Sequence, residues 1–172
     1  MIGGTTNEDY LVKATVKNLE GISIAKKYLT DVRLVEEPDF GVDDTRDAIM
    51  ESQEGASLFV WGIGSSESTE GNHIGSTFDK LILTLAIVGV VKQAEKPQSA
   101  IRRLAADVRR VMRENARRNF DGGTGTNIYC ENTAPSSQPT FDYLFGKIDA
   151  ATTVALFYTA WDATYRFPLA TG

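Results

Sequence analysis

The sequence predicts an α+β fold, in which a mixed or antiparallel sheet packs against two main helices and a long hairpin loop protrudes from the sheet. Two segments have helical patterns, and several apolar runs rich in valine and isoleucine are typical of strands. The 172 residues contain no internal repeat and are long enough to bury one core. We therefore predict a single domain spanning residues 1–172.

The N-terminal segment predicts a helix, a short strand and a second, short helix. In NEDYLVKATVKNLEG, Asn7 can cap a helix, acidic residues fill its first turn and Gly21 follows its end. The alternating run YLTDVRLVEEPD is typical of a short strand, which Pro38 stops. Residues 43–53 predict a short helix capped by Asp43 or Asp44.

Two strands joined by a polar segment predict a hairpin. The first strand, ASLFVWGIG, is bounded by glycines, and the second, FDKLILTLAIVGVVKQ, is a long apolar and partly β-branched run. Because its apolar residues are nearly continuous, we expect the second strand to be central and buried on both faces. The segment SSESTEGNHIGST has no periodicity and would form a long, mobile hairpin tip.

An arginine-rich helix is predicted after Pro97, a residue that suits the first turn of a helix. Its apolar residues recur at the spacing of a single helix face: Ile101, Leu104, Ala105, Val108, Val111 and Met112. The opposite face carries Arg102, Arg109, Arg110, Arg113 and Arg117, with Arg103 and Arg118 towards its flank. The arginines are therefore expected to face away from the core of their own subunit.

The C-terminal part predicts a turn followed by strands. NFDGGTGTN is typical of a glycine-rich turn, IYCENTAP of a strand and SSQP of a loop. The closing FDYLFGKIDAATTVALFYTAWDATYRFP predicts one or two aromatic strands, the last of which ends at Pro168. Alternation along it places Phe157, Trp161 and Tyr165 on one face, and Val154, Leu156 and Tyr158 on the other.

Charge is unevenly distributed along a chain whose net charge is −5. Residues 1–75 contain 14 acidic and six basic residues, whereas residues 76–172 contain nine acidic and twelve basic residues. The net negative charge argues against general affinity for nucleic acid. Because arginine is favoured in interfacial ion pairs, we prefer subunit contact for the arginine face, with a solvated face and a nucleic-acid contact as open alternatives.

No group of residues predicts catalysis, a cofactor or a metal site. GIGSSE has Glu67 where a dinucleotide fingerprint has its third glycine, and DGGTGT lacks the Lys-Ser/Thr ending of a P-loop. The single histidine, His73, lies in the polar hairpin tip, and the acids of residues 36–47 lack the spacing of a calcium loop. Cys130 is expected to be a small, buried apolar residue.

A membrane segment is not predicted either. The apolar run of residues 81–91 is too short to span a bilayer, and the opening MIGGTTNEDY is polar from its third residue. With a single cysteine and no disulfide framework, the chain is expected to fold in a reducing cytoplasm.

The order of these elements resembles that of the tail terminator proteins of long-tailed bacteriophages, also called tail completion or minor tail proteins. The resemblance covers residues 55–167 and rests on GASLFVWGI, a polar loop, FDKLILTLAIVGVV, PQSAIRRLAADVRRVMREN and TTVALFYTAWDATYRF. It is a resemblance of element order and apolar pattern, without a short diagnostic motif. It implies a sheet backed by two main helices, with a hairpin loop that reaches out from the sheet.

The resemblance also implies a structural function in the tail or neck of a virion, assembled in the cytoplasm of a bacterial host. Such proteins form a homohexameric ring that caps the tail tube, ends its polymerisation and joins the tail to the head-side connector, while DNA passes through without specific binding. The implied partners are further copies of the chain, the tail tube protein and the connector or neck proteins. No enzymatic activity, cofactor or membrane is implied.

Two sets of site residues follow from the resemblance. The arginine face would pair with acidic groups of the adjacent subunit or of a neck protein. The hairpin loop would dock on the tube or on a neighbouring copy through Gly64, Ser65, Glu67, Glu70, His73 and Ser76.

Two alternatives from other classes remain open. Another neck or head-completion adaptor would bind the portal side rather than cap the tube. A small nucleotide- or metal-dependent enzyme would be stabilised by a nucleotide or a divalent cation.

Overall fold

The computed structural model describes residues 7–38, 54–67, 78–92, 96–121, 127–145 and 153–168. In chain order its elements are helix α1 (Asn7–Leu19), a short 3-10 helix (Ile24–Lys26), strands β1 (Val32–Glu36), β2 (Gly55–Glu67) and β3 (Phe78–Lys92), helix α2 (Pro97–Glu114), and strands β4 (Arg118–Asp121), β5 (Asn127–Pro135), β6 (Thr140–Phe145) and β7 (Thr153–Pro168). The short helix predicted over residues 43–53 lies outside the described residues. Neither α1 nor α2 is long and apolar enough to cross a membrane.

The seven described strands form one mixed sheet. Their order is β1-β2-β3-β7-β5-β4, and β6 also pairs with β7. Strand β1 is parallel to β2, whereas the other pairings are antiparallel. One edge of β7 pairs with β3, while its other edge pairs with β6 over residues 153–158 and with β5 over residues 161–165. The predicted α+β fold, a sheet packed against two helices, is confirmed.

Strand β3 occupies the centre of the sheet, as predicted. It pairs with β2 on one side and with β7 on the other, in an unbroken register from Phe78↔Pro168 to Lys92↔Val154. Consecutive residues such as Ala86 and Ile87 are both fully buried, so both faces of the strand are covered in this region. This explains why its sequence is nearly continuously apolar rather than alternating.

Apolar side chains form two clusters, one on each face of the sheet. The main core lies under the helices and includes, from β7, the side chains of Phe157, Trp161 and Tyr165. A smaller cluster on the opposite face consists of Phe59, Val90 and Val154, with Trp61, Val88 and Leu156 packed against it. The alternation predicted along β7 is therefore confirmed, because Phe157, Trp161 and Tyr165 belong to the main core, whereas Val154 and Leu156 belong to the smaller cluster. Tyr158, predicted on the same face as Val154 and Leu156, is 37% exposed.

Both helices attach to the sheet through apolar stripes. Five of the six predicted stripe residues of α2 are almost completely buried in the main core, and Ala105 packs against that core half-buried. Helix α1 contributes Leu11, Val12 and Leu19 to the same core. Full burial of such aliphatic side chains contributes about 1.5–3 kcal/mol each, so the stripes explain why both helices lie on one face.

Helix α2 ends earlier than its sequence suggests. It stops at Glu114, so Arg117 lies beyond the helix, and β4 begins at Arg118 where the sequence predicts a glycine-rich turn. The side-chain amide of Asn115 donates to the carbonyl of Val111 at 2.8 Å, which closes the last turn. Residues 118–121 then pair with β5, and this long-range pairing prevails over the local preference for a turn.

The predicted antiparallel pairing of β2 with β3 is confirmed, but the prediction that Gly64, Ser65 and Glu67 lie in the loop between them is wrong. All three lie in β2 and pair with residues 81–84 of β3. The strand continues because the hydrogen-bond ladder is made by the backbone and does not require apolar side chains. The remaining predicted loop residues, Glu70, His73 and Ser76, lie outside the described residues.

A β-bulge interrupts β2 where it leaves the core. The register with β3 shifts between Gly62 and Gly64, so Ile63 is the extra, unpaired residue. Strand β1 pairs only with residues 56–59 of β2. Beyond that point, no described strand pairs with the outer edge of β2.

A buried carboxylate fastens the chain after the 3-10 helix to α2. Asp107 is 2% exposed, and its two carboxylate oxygens accept the backbone N–H of Leu29 at 3.1 and 3.0 Å. The sequence pattern does not predict this contact, because Asp107 stands among the polar residues of α2 and its partner is a backbone group 78 positions away.

We expect Asp107→Ala to destabilise the chain by about 1–3 kcal/mol, because the half-buried N–H of Leu29 loses its acceptor. Asp107→Asn retains one acceptor oxygen and should have a smaller effect. Urea unfolding followed by circular dichroism measures both changes. Equal stability of the alanine variant and the parent chain would show that water replaces the carboxylate without cost.

Three charged side chains form a network on the face of the sheet away from the helices. Glu131 of β5 accepts hydrogen bonds from Lys80 of β3, at 3.0 Å, and from Arg166 of β7. Burial raises the pKa of Glu131, but the hydrogen bonds from the two bases outweigh burial, so the pKa lies below its ordinary value. The network therefore stabilises the pairing of three strands only while Glu131 is ionised.

Glu131→Gln should lower the free energy of unfolding at pH 7 by about 1 kcal/mol, because two bases lose their counter-charge. The pKa of Glu131 is lower in the folded chain than in the unfolded chain, where it is about 4.3. Ionised Glu131 therefore stabilises the fold above about pH 4.3, and this stabilisation is lost as the pH falls through the folded-state pKa. The difference between the variant and the parent chain should therefore shrink below about pH 4. Urea unfolding at several pH values tests this, with Glu20→Gln at the exposed end of α1 as the control.

Candidate interaction site

Three arginines of α2 form an exposed row that has no partner among the described residues. Arg102, Arg109 and Arg113 are exposed and lie on one side of the helix, at positions i, i+7 and i+11, with the exposed Ala106 between them. None of the hydrogen bonds or ion pairs among the described residues involves these three side chains. The prediction that they face away from the core is confirmed, and we call them the arginine row.

Arg110 makes its contacts within its own subunit. Its guanidinium donates to Glu114 at 2.8 Å and to the carbonyl of Lys27 at 3.0 Å, and it lies 4.9 Å from the ring centroid of Tyr28. The hydrogen bond from Arg110 is the main reason why the pKa of Glu114 is lowered. Arg110 therefore connects the 3-10 helix region to α2 and is not part of the arginine row. Arg117 is exposed and lies beyond the end of the helix.

A cavity of about 220 Å³ lies beside the arginine row, between α2 and strands β5–β7. Its apolar walls include Pro135, Phe141, Phe157 and Trp161, and Arg102 and Arg109 line it from the helix. Phe141 is 39% exposed although its ring packs 6.5 Å from that of Phe157. Apolar surface next to unpaired cations is typical of a place where a partner chain binds. We call this the basic cleft.

Trp161, which lines the basic cleft, also carries a buried polar group. The residue is 2% exposed, and its indole N–H has no hydrogen-bond partner among the described residues. Most buried N–H groups in folded proteins are paired, so an unpaired one indicates either an ordered water molecule or a missing acceptor.

A concave surface of opposite charge lies at the β2 edge of the sheet. It has a volume of about 360 Å³ and is lined by Glu8 and Asp9 of α1, by Glu37 after β1, and by residues 62–65 of β2. Ile63, the bulge residue, is 51% exposed within it. Of the predicted docking residues, Gly64 and Ser65 line this surface, and Glu67 is exposed at the end of β2. We call it the acidic edge.

One acid of this edge also contacts the sheet. The hydroxyl of Tyr165 donates to Glu8 at 3.2 Å, and burial, together with the charge of Glu8, raises the pKa of Tyr165. The N-terminus of α1 is thereby held against β7, which fixes the position of the acidic edge relative to the sheet.

The strand order places the two surfaces at different strands of the sheet. The acidic edge lies at β2, whereas the basic cleft lies at β5, β6 and β7, and β3 lies between β2 and β7. Two different surfaces of opposite charge favour head-to-tail contact between copies rather than a two-fold dimer.

A third concavity of about 350 Å³ lies near the start of α2 and has mixed charge. Arg33, Lys92 and Arg103 line it together with Asp31 and Glu54. Among the described residues, no three histidine, cysteine, aspartate or glutamate side chains are grouped as metal ligands. Cys130 is buried, as predicted, with its sulfur 3.4 Å from the carbonyl of Asn132.

The sequence predicts the arginine face but neither the basic cleft nor the acidic edge. The cleft is assembled from residues 102–161, which no local pattern brings together. The bulge has a local sign, because Gly62 and Gly64 flank Ile63 within an otherwise regular strand pattern. Comparison with family models and with curated proteins gives no match to this chain.

Proposed function

We propose that the chain is a structural protein of a phage virion that forms a hexameric ring on the end of the tail tube. The ring ends tube polymerisation and joins the tail to the head-side connector. The observation that carries the proposal is that the acidic edge and the basic cleft are different surfaces of opposite charge, at strands of one sheet that β3 separates. Repeating such a head-to-tail contact produces a ring when the rotation between copies closes.

The element order supports the rest of the proposal. Its resemblance to tail terminator proteins supplies the number of copies and the partners, namely the tube protein and the connector or neck proteins. The net charge of −5 suits a ring through which DNA passes, because a bore that bound phosphate strongly would hold the DNA. The unpaired arginine row belongs in this proposal to the contact between copies rather than to DNA.

Negative-stain electron microscopy with native mass spectrometry, over a range of concentrations, tests ring formation. Six-fold rings with a central hole are expected. Pull-down with purified tube protein and with purified portal then identifies the partner, and binding to the tube is expected. Binding to the portal alone would support the neck-adaptor alternative, and binding to neither would contradict the proposed function.

A thermal-shift screen with nucleotides and divalent cations tests the alternative that the chain is an enzyme. Under the proposed structural function no ligand should raise the melting temperature in a saturable way. A saturable shift that persists when salt is added would favour the enzyme instead.

A further inference from the structure

We infer that Ile63 of one copy inserts into the basic cleft of the next copy, with the acids around it facing Arg102 and Arg109. The inference rests on the proposed function, because it requires head-to-tail contact between copies. It adds the residues that make the contact and the direction in which the copies join.

The position of Ile63 is the first observation. The side chain is 51% exposed at a bulge, and its two neighbours, Gly62 and Gly64, have no side chains that could cover it. Bulges on open edges commonly redirect a side chain or end strand pairing. Here the bulge presents an aliphatic side chain from the part of β2 that no described strand covers.

The cleft suits this side chain in size and chemistry. Its volume of about 220 Å³ exceeds the roughly 150 Å³ of a core cavity that accommodates benzene. The aromatic rings of Phe141, Phe157 and Trp161 supply the apolar wall that an isoleucine side chain requires. An aromatic or aliphatic side chain that fills a pocket is the usual anchor at the centre of a binding interface.

The surrounding charges match in sign. Glu8, Asp9 and Glu37 lie around Ile63, and Arg102 and Arg109 lie beside the cleft. An apolar centre with charged groups at its rim has the usual composition of a specific interface. Arginine can bind a carboxylate through two parallel hydrogen bonds, which fixes orientation as well as affinity.

The two surfaces also meet the condition for a ring. They are different surfaces, at strands that β3 separates, so each copy can offer its Ile63 to one neighbour and its cleft to the other. Insertion of an exposed apolar side chain into a cavity of the next molecule is a known route to head-to-tail assembly.

Cross-linking between introduced cysteines tests the contact. Gln138 is exposed at the cleft, and Cys130, the only native cysteine, is buried. The double variant Ser65→Cys with Gln138→Cys keeps Ile63 and places the first thiol at an exposed residue of the acidic edge. Treated with a short bismaleimide, it should give a ladder of covalent species up to six copies under denaturing conditions. Each single variant should remain monomeric or form dimers at most.

A matched control uses an exposed residue outside the acidic edge. The pair Ile24→Cys with Gln138→Cys places a thiol at a side chain that is 59% exposed on the 3-10 helix, and it should give no ladder. As a second readout, Ile63→Asp should weaken association between copies at least tenfold without changing the circular dichroism spectrum.

The outcomes separate the inference from the proposed function. Six-fold rings without a ladder, or with Ile63→Asp assembling normally, would overturn the inference and leave the proposed function standing. Monomers at every concentration would overturn the inference as well, while pull-down with the tube protein would still decide the function. A ladder specific to the Ser65–Gln138 pair supports the contact.

Discussion

Gly89→Ala is expected to lower the free energy of unfolding by about 3 kcal/mol, because it overpacks the centre of the core. Gly89 of β3 lies opposite Phe157 of β7 in the antiparallel register. A Cβ atom at Gly89 would lie 1.9 Å from Cε1 and 2.5 Å from Cδ1 of the Phe157 ring. The ring is 1% exposed and packed in the main core, so it can shift only towards the basic cleft, whose wall it forms, at the expense of its core contacts.

The opposing effect is smaller. Alanine loses less backbone entropy than glycine on folding, which favours the variant by about 0.5–1 kcal/mol in a strand. Steric overlap with an aromatic ring should therefore dominate, and Gly89→Val should unfold the chain at moderate temperature. Urea unfolding measures the change, with Gly64→Ala in β2 as the matched control because a Cβ atom there meets nothing within 4 Å.

Two results would contradict this explanation. One is an alanine variant as stable as the parent chain. The other is equal destabilisation by Gly64→Ala, since that would indicate a general intolerance of substitution rather than contact with Phe157. Combining Gly89→Ala with Phe157→Leu should restore part of the lost stability if the ring is the obstacle, because the two changes are then coupled.

The elements that the sequence predicts best are those whose own side chains determine their burial. The apolar stripe of α2 and the alternation of β7 each indicate which face is buried, and the structure confirms both. Strand β3 was predictable as central because residues such as Ala86 and Ile87 are apolar on both faces.

Elements that depend on a partner strand were predicted less well. Residues 118–121 are followed by glycines and resemble a turn, yet they form β4 because β5 is available for pairing. The polar end of β2, from Gly64 to Glu67, likewise has the composition of a loop. It is a strand because it pairs with β3. Local composition cannot reveal a pairing whose other half lies many residues away.

In the candidate site, too, the sequence does not predict which contacts a single side chain makes. Arg109 and Arg110 are adjacent and identical in type, but they point about 100° apart around a helix. Arg110 meets Glu114 and Tyr28 of its own subunit, whereas Arg109 lines the basic cleft. The sequence places both on the polar side of α2, and only the packing of the 3-10 helix and of β5–β7 distinguishes them.

Reversal of charge at the basic cleft should have the largest effect on assembly. In the double variant Arg102→Glu with Arg109→Glu, carboxylates would face the acidic edge of the next copy, so we expect association to weaken at least a hundredfold, or about 2.8 kcal/mol. Both arginines are exposed, so the stability of the isolated subunit should change by less than about 0.5 kcal/mol. Sedimentation velocity measures association, and urea unfolding measures stability.

The control for this variant makes the same change of net charge elsewhere. Lys13→Glu with Lys17→Glu alters two exposed residues of α1 and should leave assembly intact. If the arginines act through ion pairs, a copy carrying Glu8→Lys and Glu37→Lys should associate with the copy that carries Arg102→Glu and Arg109→Glu. For the same reason, added salt should weaken the assembly of the parent chain. Normal assembly of the charge-reversed variant would mean that the arginine row is a solvated helix face, and the contact between copies would then have to depend on apolar surface alone.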